Sequence, residues 1–344
     1  MKKVMMIVAT VLSGLVLASC GSKNQKATAE ENQPKEVNIG IIRVPNDKQV
    51  AISENYFDEY FKDKGIQTNF TFFDSGVAAN QAFASGSIDF AEMGYTNGVV
   101  ALAKDLPVEL IWIHDVLGTN EALVARNDSG ITDIGDLKGK KIATPFSSTS
   151  HFSLLKALEE AGIADDVTLL DMQTADIVAA WERGDIDAAY TWEPTLTTLK
   201  ESGTVLVDSK QLAEKGYMTT NIDLVRKEFS EKYPDLVVDY LAALSKGREL
   251  YTSQPEVAAE AVAKDLKLET AEALTQMKGS TWLTPEEQLS ADYFGTAEKP
   301  GQFHQVFLDT AEFLKEQKSI TVVPGEKQVH QFINSTYIEK LVAR

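Results

Sequence analysis

Four hydroxyl side chains stand in a row in "PFSSTSH" (Pro145–His151): Ser147, Ser148, Thr149 and Ser150. The block leads straight into "FSLLKALEEAG", whose apolar residues recur at helical spacing. Hydroxyls at a helix start can cap the free backbone N–H groups. They can also join those groups, and the partial positive charge of ~0.5 found there, in holding an anion. "DSG" (Asp74, Ser75, Gly76) opens another helical stretch, with a glycine that lets a ligand approach the backbone closely. His151, at the end of the first block, is a further candidate ligand residue, and at a helix start it reads as a surface residue rather than a base. For a cation, Glu193 beside Trp192 in "TWEP" combines a carboxylate with an indole face. Glu121, Asp47 and Asp223 are further acids in segments that end or begin strands.

Bond-making chemistry finds less support. His114, His151, His304 and His330 are scattered, with no H-E-x-x-H pair, no paired cysteines, no G-x-S-x-G elbow and no phosphate-binding loop. With 51 Asp and Glu, paired carboxylates discriminate nothing. The pattern implies no metal and no cofactor. A net charge of −18 repels nucleic acid and anionic lipid headgroups, so neither is an expected partner.

These residues need elements to hold them, and the chain supplies strands and helices in alternation. "VNIGII" is a short apolar strand. "KQVAISENYFDEYFKDKG" is a helix stopped at Gly65. "QTNFTFFD" and "SIDFAEMG" are strands around the helix "SGVAANQAFASG". The alternation resumes with "GDLKGKKIATP", the helix after Pro145, "VTLLDM", "TADIVAAWERG" and "DIDAAYT", and "NIDLVRKEF" then opens a long helical region. Such order favours an α/β fold with mostly parallel sheets. One piece occurs twice: "AFASGSIDFA" and "AWERGDIDAA" align Gly86 with Gly184 and Asp89 with Asp187. Each is a helix stopped by glycine, then a short strand, then a loop at that strand's C-terminal end, where open α/β sheets bind ligands. The two loops carry Gly94, Tyr95, Thr96 and Asn97 in one case, and Thr191 to Pro194 in the other. Asn46 and Asp47 follow the first strand in the same way, and Tyr95 and Tyr217 are candidate cleft walls.

The N-terminus reads separately. Lys2 and Lys3 precede an apolar run, Val4–Val16, too short for a comfortable membrane span, and "LASC" follows. This is a lipoprotein signal pattern, with lipidation expected at Cys20 and cleavage before it. Cys20 is the only cysteine, so the mature chain has no disulfide. Residues 21–36 are polar and read as a flexible tether.

The runs "TPFSSTSHFSLLKALEEAGI" and "IVAAWERGDIDAAYTWEP" resemble the substrate-binding lipoproteins of ABC importers for taurine and alkanesulfonates. "FDSGVAANQAFASGSIDFAEMG", "LGTNEALV", "VLVDS", "VRKEF", "TWLTPEEQ" and "FLKEQ" agree, in order, over nearly all of the mature chain. The resemblance, strongest to the taurine branch, implies the type II periplasmic-binding-protein fold: two α/β lobes around a ligand cleft. It implies a leader at 1–19, a tether at 20–36, one lobe from 37–121 and 222–344, and a second lobe from 122–221. The implied partners are a small sulfonate, permease subunits with a cytoplasmic ATPase, and the membrane through the Cys20 lipid alone, with the protein a monomer. Taurine needs donors around its sulfonate and an acceptor for its ammonium; Glu193, Glu121, Asp47 and Asp223 all remain candidates for the latter. Glu193 stands where some relatives have alanine, and Asn221 and Asp223 stand where an aspartate followed by tryptophan is expected. Another alkanesulfonate, a phosphonate, nitrate or bicarbonate is the alternative ligand. An enzyme on the same fold is the rival class.

Overall fold

The computed structural model describes residues 33–344; the expected leader, Cys20 and most of the tether lie outside the described residues. Among these residues ten strands form two five-stranded sheets. In the first sheet are β1 (Glu36–Ile42), β2 (Gln67–Phe73), β3 (Phe90–Gly94), β4 (Val108–Val116) and β10 (Thr220–Arg226), in the order β2-β1-β3-β10-β4. The second holds β5 (Glu121–Arg126), β6 (Lys141–Thr144), β7 (Thr168–Asp171), β8 (Ala188–Trp192) and β9 (Gly203–Asp208), in the order β7-β6-β8-β5-β9. The two orders match position for position.

Each sheet is mixed, not mostly parallel as the alternation suggested. β5 runs antiparallel to β8 and β9, and β10 runs antiparallel to β3 and β4. The cause is the route of the chain. Both strands arrive from the opposite sheet across a short connection, so they start at the cleft and run away from it. Glu121 pairs with Trp192, the last residue of β8, and Asn221 pairs with Gly94, the last residue of β3. "NIDLVRKEF" is therefore mostly strand β10, with a six-residue helix, Lys227–Lys232, after it. Its apolar residues Ile222, Leu224 and Val225 are buried between neighbours on both sides, which overrides the helical reading.

The expected long first helix is broken. Asn55, at φ 59°, separates Asp47–Ser53 from Tyr56–Phe61, and Gly65, at φ 72°, ends the segment in the left-handed region. The helix Gly76–Ser85 stops at Gly86 and Thr174–Arg183 stops at Gly184, with φ 72° and 75°. Both repeat units thus have ten-residue helices and five-residue strands. The first sheet shares a large apolar core with the C-terminal helices Pro234–Ser253 and Phe303–Glu316; the second has smaller cores on its two faces. No helix among the described residues is long and apolar enough to cross a membrane.

Candidate functional site

The C-terminal ends of the parallel strands and the N-terminal ends of β5 and β10 converge on one cavity of about 560 Å³, mouth included. The first sheet contributes Val44 and Pro45 after β1, Ser75, Gly76 and Val77 after β2, Gly94 and Asn97 at the end of β3, and Asn221 from β10. The second contributes Phe146, Ser148 and Thr149 after β6, and Trp192 and Glu193 at the end of β8. Leu117 and Asn120, on the crossing between β4 and β5, complete the wall.

Two helices start at this cavity from opposite sides. The helix Gly76–Ser85 has no side-chain cap, and the amides of Gly76 and Val77 have no acceptor among the described residues. The helix Thr149–Glu160 is capped by Ser148, whose Oγ accepts from His151 N at 3.1 Å, while the amides of Thr149 and Ser150 have no acceptor among the described residues. Among the described residues no Lys or Arg lines the cavity, so main-chain amides are its principal positive pole. Glycine is required at two of these positions. A Cβ on Gly76 would run into the Asn97 carboxamide, and one on Gly94 would come within 2.8 Å of Thr149 Cγ2.

The hydroxyl block does less than its composition suggests. Ser148 Oγ donates to Pro145 O at 2.6 Å as well as capping, and Ser150 Oγ donates to Glu121 Oε1 at 3.2 Å. Ser147, in the left-handed region at φ 64°, gives its N–H to His151 Nδ1 and accepts at its carbonyl from Thr96 Oγ1 at 2.9 Å. Among the described residues the hydroxyls of Ser147 and Thr149 make no bond like those of Ser148 and Ser150, though the Thr149 hydroxyl leans toward Glu121. His151 stacks on Phe146 at 4.4 Å, and burial pulls it down to about 4 against the opposing charge of Asp171. It is neutral at pH 7, buried rather than at the surface, and outside the cavity lining.

The candidate acids separate sharply. Glu193 lines the cavity, but Oε2 accepts from Thr197 N and Oε1 pairs with Lys200 Nζ, both at 2.8 Å. Its charge is largely spent on the next helix. Glu121 is fully buried behind Thr149 and Ser150, with Oε2 unpartnered. Burial pushes it up to about 8; hydroxyls of Thr149, Ser150 and Ser209 oppose this and the Asp115 charge adds to it. Asp47 and Asp223 do not reach the cavity. Asp47 accepts from Trp112 Nε1 at 2.7 Å and meets His114 Nδ1 at 2.6 Å, while Asp223 pairs with the buried Lys48 Nζ at 2.7 Å and accepts from Tyr240. Burial works against charge on His114, but Asp47 and Glu92 outweigh it and lift the ring to about 10. These groups form an ionic cluster inside the first lobe.

The remaining candidates divide likewise. Asn97 and Asn221 line the cavity, and Asn221 Nδ2 donates to Asp115, leaving Oδ1 free. Asn46 caps the helix Asp47–Ser53 and donates to Glu92. Asp74 is exposed and outside the cavity. Tyr95 is a core residue, not a cleft wall: it is 1% exposed, with its OH 2.9 Å from Thr310 Oγ1. Tyr217 is half-buried and likewise does not line the cavity. Asn120, Val77, Pro45 and Phe146 were missed. Asn120 had a signal, since it stands beside Glu121 in "LGTNEALV", and its Oδ1 accepts from Gly118 N in the turn before β5.

Residues 57–258 match the family described as NMT1/THI5 like. The chain is 35% identical to the taurine-binding periplasmic protein of Escherichia coli, over 85% of this chain and 89% of that protein. It is 32% identical to a putative aliphatic sulfonates-binding protein of Bacillus subtilis, over 72% and 73% of the respective chains. Among solved structures, the alkanesulfonate-binding protein SsuA of Xanthomonas axonopodis pv. citri, bound to MOPS, superposes with a TM-score of 0.72 at 21% identity, covering 88% of this chain and 98% of that one. The fold is thus the two-lobed type II periplasmic-binding-protein fold, and the curated relatives are binding proteins rather than enzymes.

Proposed function

The chain belongs to the NMT1/THI5-like family, and from that premise we propose that it is an extracytoplasmic receptor that delivers taurine to an ABC importer. Two helix starts from opposite lobes, each with free amides and no competing cation, carry this reading. A sulfonate is tetrahedral, fully ionised and weakly basic, so it suits several neutral donors converging from two directions. Such donors avoid the desolvation cost of a buried guanidinium. The two-carbon spacer lies against Trp192 and Phe146, and the ammonium faces Asn221 Oδ1 and Glu193. Cys20 carries the lipid that tethers the protein to the outer face of the cell membrane, and permease subunits receive the ligand.

A second reading, a receptor for small alkanesulfonates in general, is favoured by Lys200, which already neutralises Glu193. Titration calorimetry against taurine, ethanesulfonate and nitrate separates the readings. Taurine binding more tightly than ethanesulfonate supports the first, and equal affinity supports the second. Nitrate binding with neither sulfonate recognised would overturn both. For the anchor, Cys20→Ser is expected to move the protein from membrane to soluble fraction, and continued attachment would contradict lipidation.

A further inference from the structure

The helix Thr149–Glu160 serves two cores at once. Leu154, Ala157 and Leu158 point into the core of the second sheet, while Phe152 and Leu155 belong to the core of the first. Phe152 is 6% exposed and meets two rings of the first lobe edge-on: Tyr95 at 6.1 Å and Phe313 at 5.1 Å. Beside it, Lys156 Nζ lies 3.8 Å from the centroid of Phe313. A hydrogen bond from Thr96 Oγ1 to Ser147 O crosses between the same two regions. None of Phe152, Leu155, Tyr95 and Phe313 lines the cavity.

The helix that offers its N-terminus to the ligand is therefore pinned to the opposite lobe by an apolar contact one turn farther along. Parting the lobes to admit a ligand would carry Phe152 and Leu155 out of the first core and into water, which is unfavourable. The geometry points to Phe152 as a positioning residue that holds the lobes together whether or not ligand is present, and so sets the affinity for every ligand of the cavity without touching one. The affinity part rests on the sulfonate-receptor reading. The closure part does not.

The quantitative link is the population of the binding-competent state. Apparent affinity is reduced by the fraction of molecules that are closed, so a change from nearly all closed to about one in ten costs roughly tenfold. That loss must be the same for every ligand, because the polar contacts in the cavity are unchanged.

Small-angle scattering on the ligand-free full chain, paired with calorimetry on a series of sulfonates, tests this. The ligand-free protein is expected to have the compactness of the sulfonate-saturated one. Phe152→Ala is expected to expand it and to weaken every sulfonate that binds by about the same factor, roughly tenfold, with the ranking kept. Phe152→Leu should restore most of both properties. Phe313→Ala, which removes the partner ring from the other lobe, should reproduce the expansion, and it decides the matter if Phe152→Ala does not fold. A ligand-free protein that is already expanded, or alanine variants that leave compactness and affinity unaltered, would overturn the proposal. So would a weakening that differs between ligands without any expansion. If no sulfonate binds at all, the proposed function fails, while the scattering comparison still decides closure.

Discussion

The two copies of the helix–glycine–strand unit agree in backbone and part company at the cavity. In both, the shared aspartate braces the sheet. Asp89 accepts from Asn38 N at 2.9 Å, and Asp187 accepts from Lys141 N at 2.8 Å, each time at the start of the neighbouring strand. The amides of Asp89 and Asp187 return the bond to the carbonyls of Asn38 and Lys141. The repeated I-D-x-A is thus a way to lock a short central strand to its neighbour. Ligand chemistry lies in what differs. The first copy sends the bare amides of Gly76 and Val77 to the cavity; the equivalent helix start at Thr174 does not line it. The second copy sends the side chains Trp192 and Glu193 instead. The first copy offers bare backbone with Asn97 beside it, and the second offers the side chains Trp192 and Glu193 without a helix start.

Gly76→Ala against Thr174→Ala is the strongest way to break this contrast. The first displaces Asn97 and the helix start, and two charge-assisted hydrogen bonds at ~1.5–3 kcal/mol each make a loss of about a hundredfold or more in sulfonate affinity the expected result. The second should change affinity by less than about threefold, as expected for a surface substitution away from the ligand. Equal losses in calorimetry would mean that the two helix starts are equivalent after all.

The brace itself predicts a stability difference. Asp89→Ala should cost about 2–3 kcal/mol in urea denaturation and Asp187→Ala about 1 kcal/mol, because Asp89 is more buried and also pairs with Arg226 at 2.5 Å. Matching costs would show that Arg226 adds nothing.

Much of this was legible locally. Gly65, Gly86 and Gly184 end their helices as spacing and glycine chemistry require, and the repeat aligns because both copies solve the same strand-pairing problem. The hydroxyl block was recognisable as a helix start. That two of its four hydroxyls are spent on Pro145 and Glu121 was not, because those partners are set by the folded chain. For the same reason Asp47 and Asp223 looked like ligand groups. Nothing local announces that Lys48, a residue type almost never fully buried, is buried against Asp223, or that His114 meets both acids. β10 was misread because its pattern is decided by two neighbouring strands far away in the chain.

Glu121 sharpens the comparison in another way, since it stands behind the amides of Thr149 and Ser150 and no acid with a matching shift stands behind Gly76. In the unfolded chain it loses its proton near 4.5, whereas in the folded protein it keeps it to about 8. Between those values the unfolded state binds fewer protons, so this group's contribution to stability is full below about 4.5 and is lost as pH rises toward about 8. Thermal melts from pH 5 to 8 should therefore show a decline in the wild type that is smaller in Glu121→Gln. An unchanged slope would mean that Glu121 is not the group responsible.

The smallest effect is expected at Glu193. With Lys200 already paired to it, Glu193→Gln should change the ratio of taurine to ethanesulfonate affinity by less than about threefold, the range of a screened ion pair. A tenfold change would make Glu193 the dominant amine group.

A crystal structure of the protein with taurine tests the central claim most directly. The account predicts sulfonate oxygens within hydrogen-bond distance of the amides of Gly76 or Val77 on one side and of Thr149 or Ser150 on the other, with no Lys or Arg touching them. A sulfonate held by a cationic side chain, or seated away from both helix starts, would contradict it.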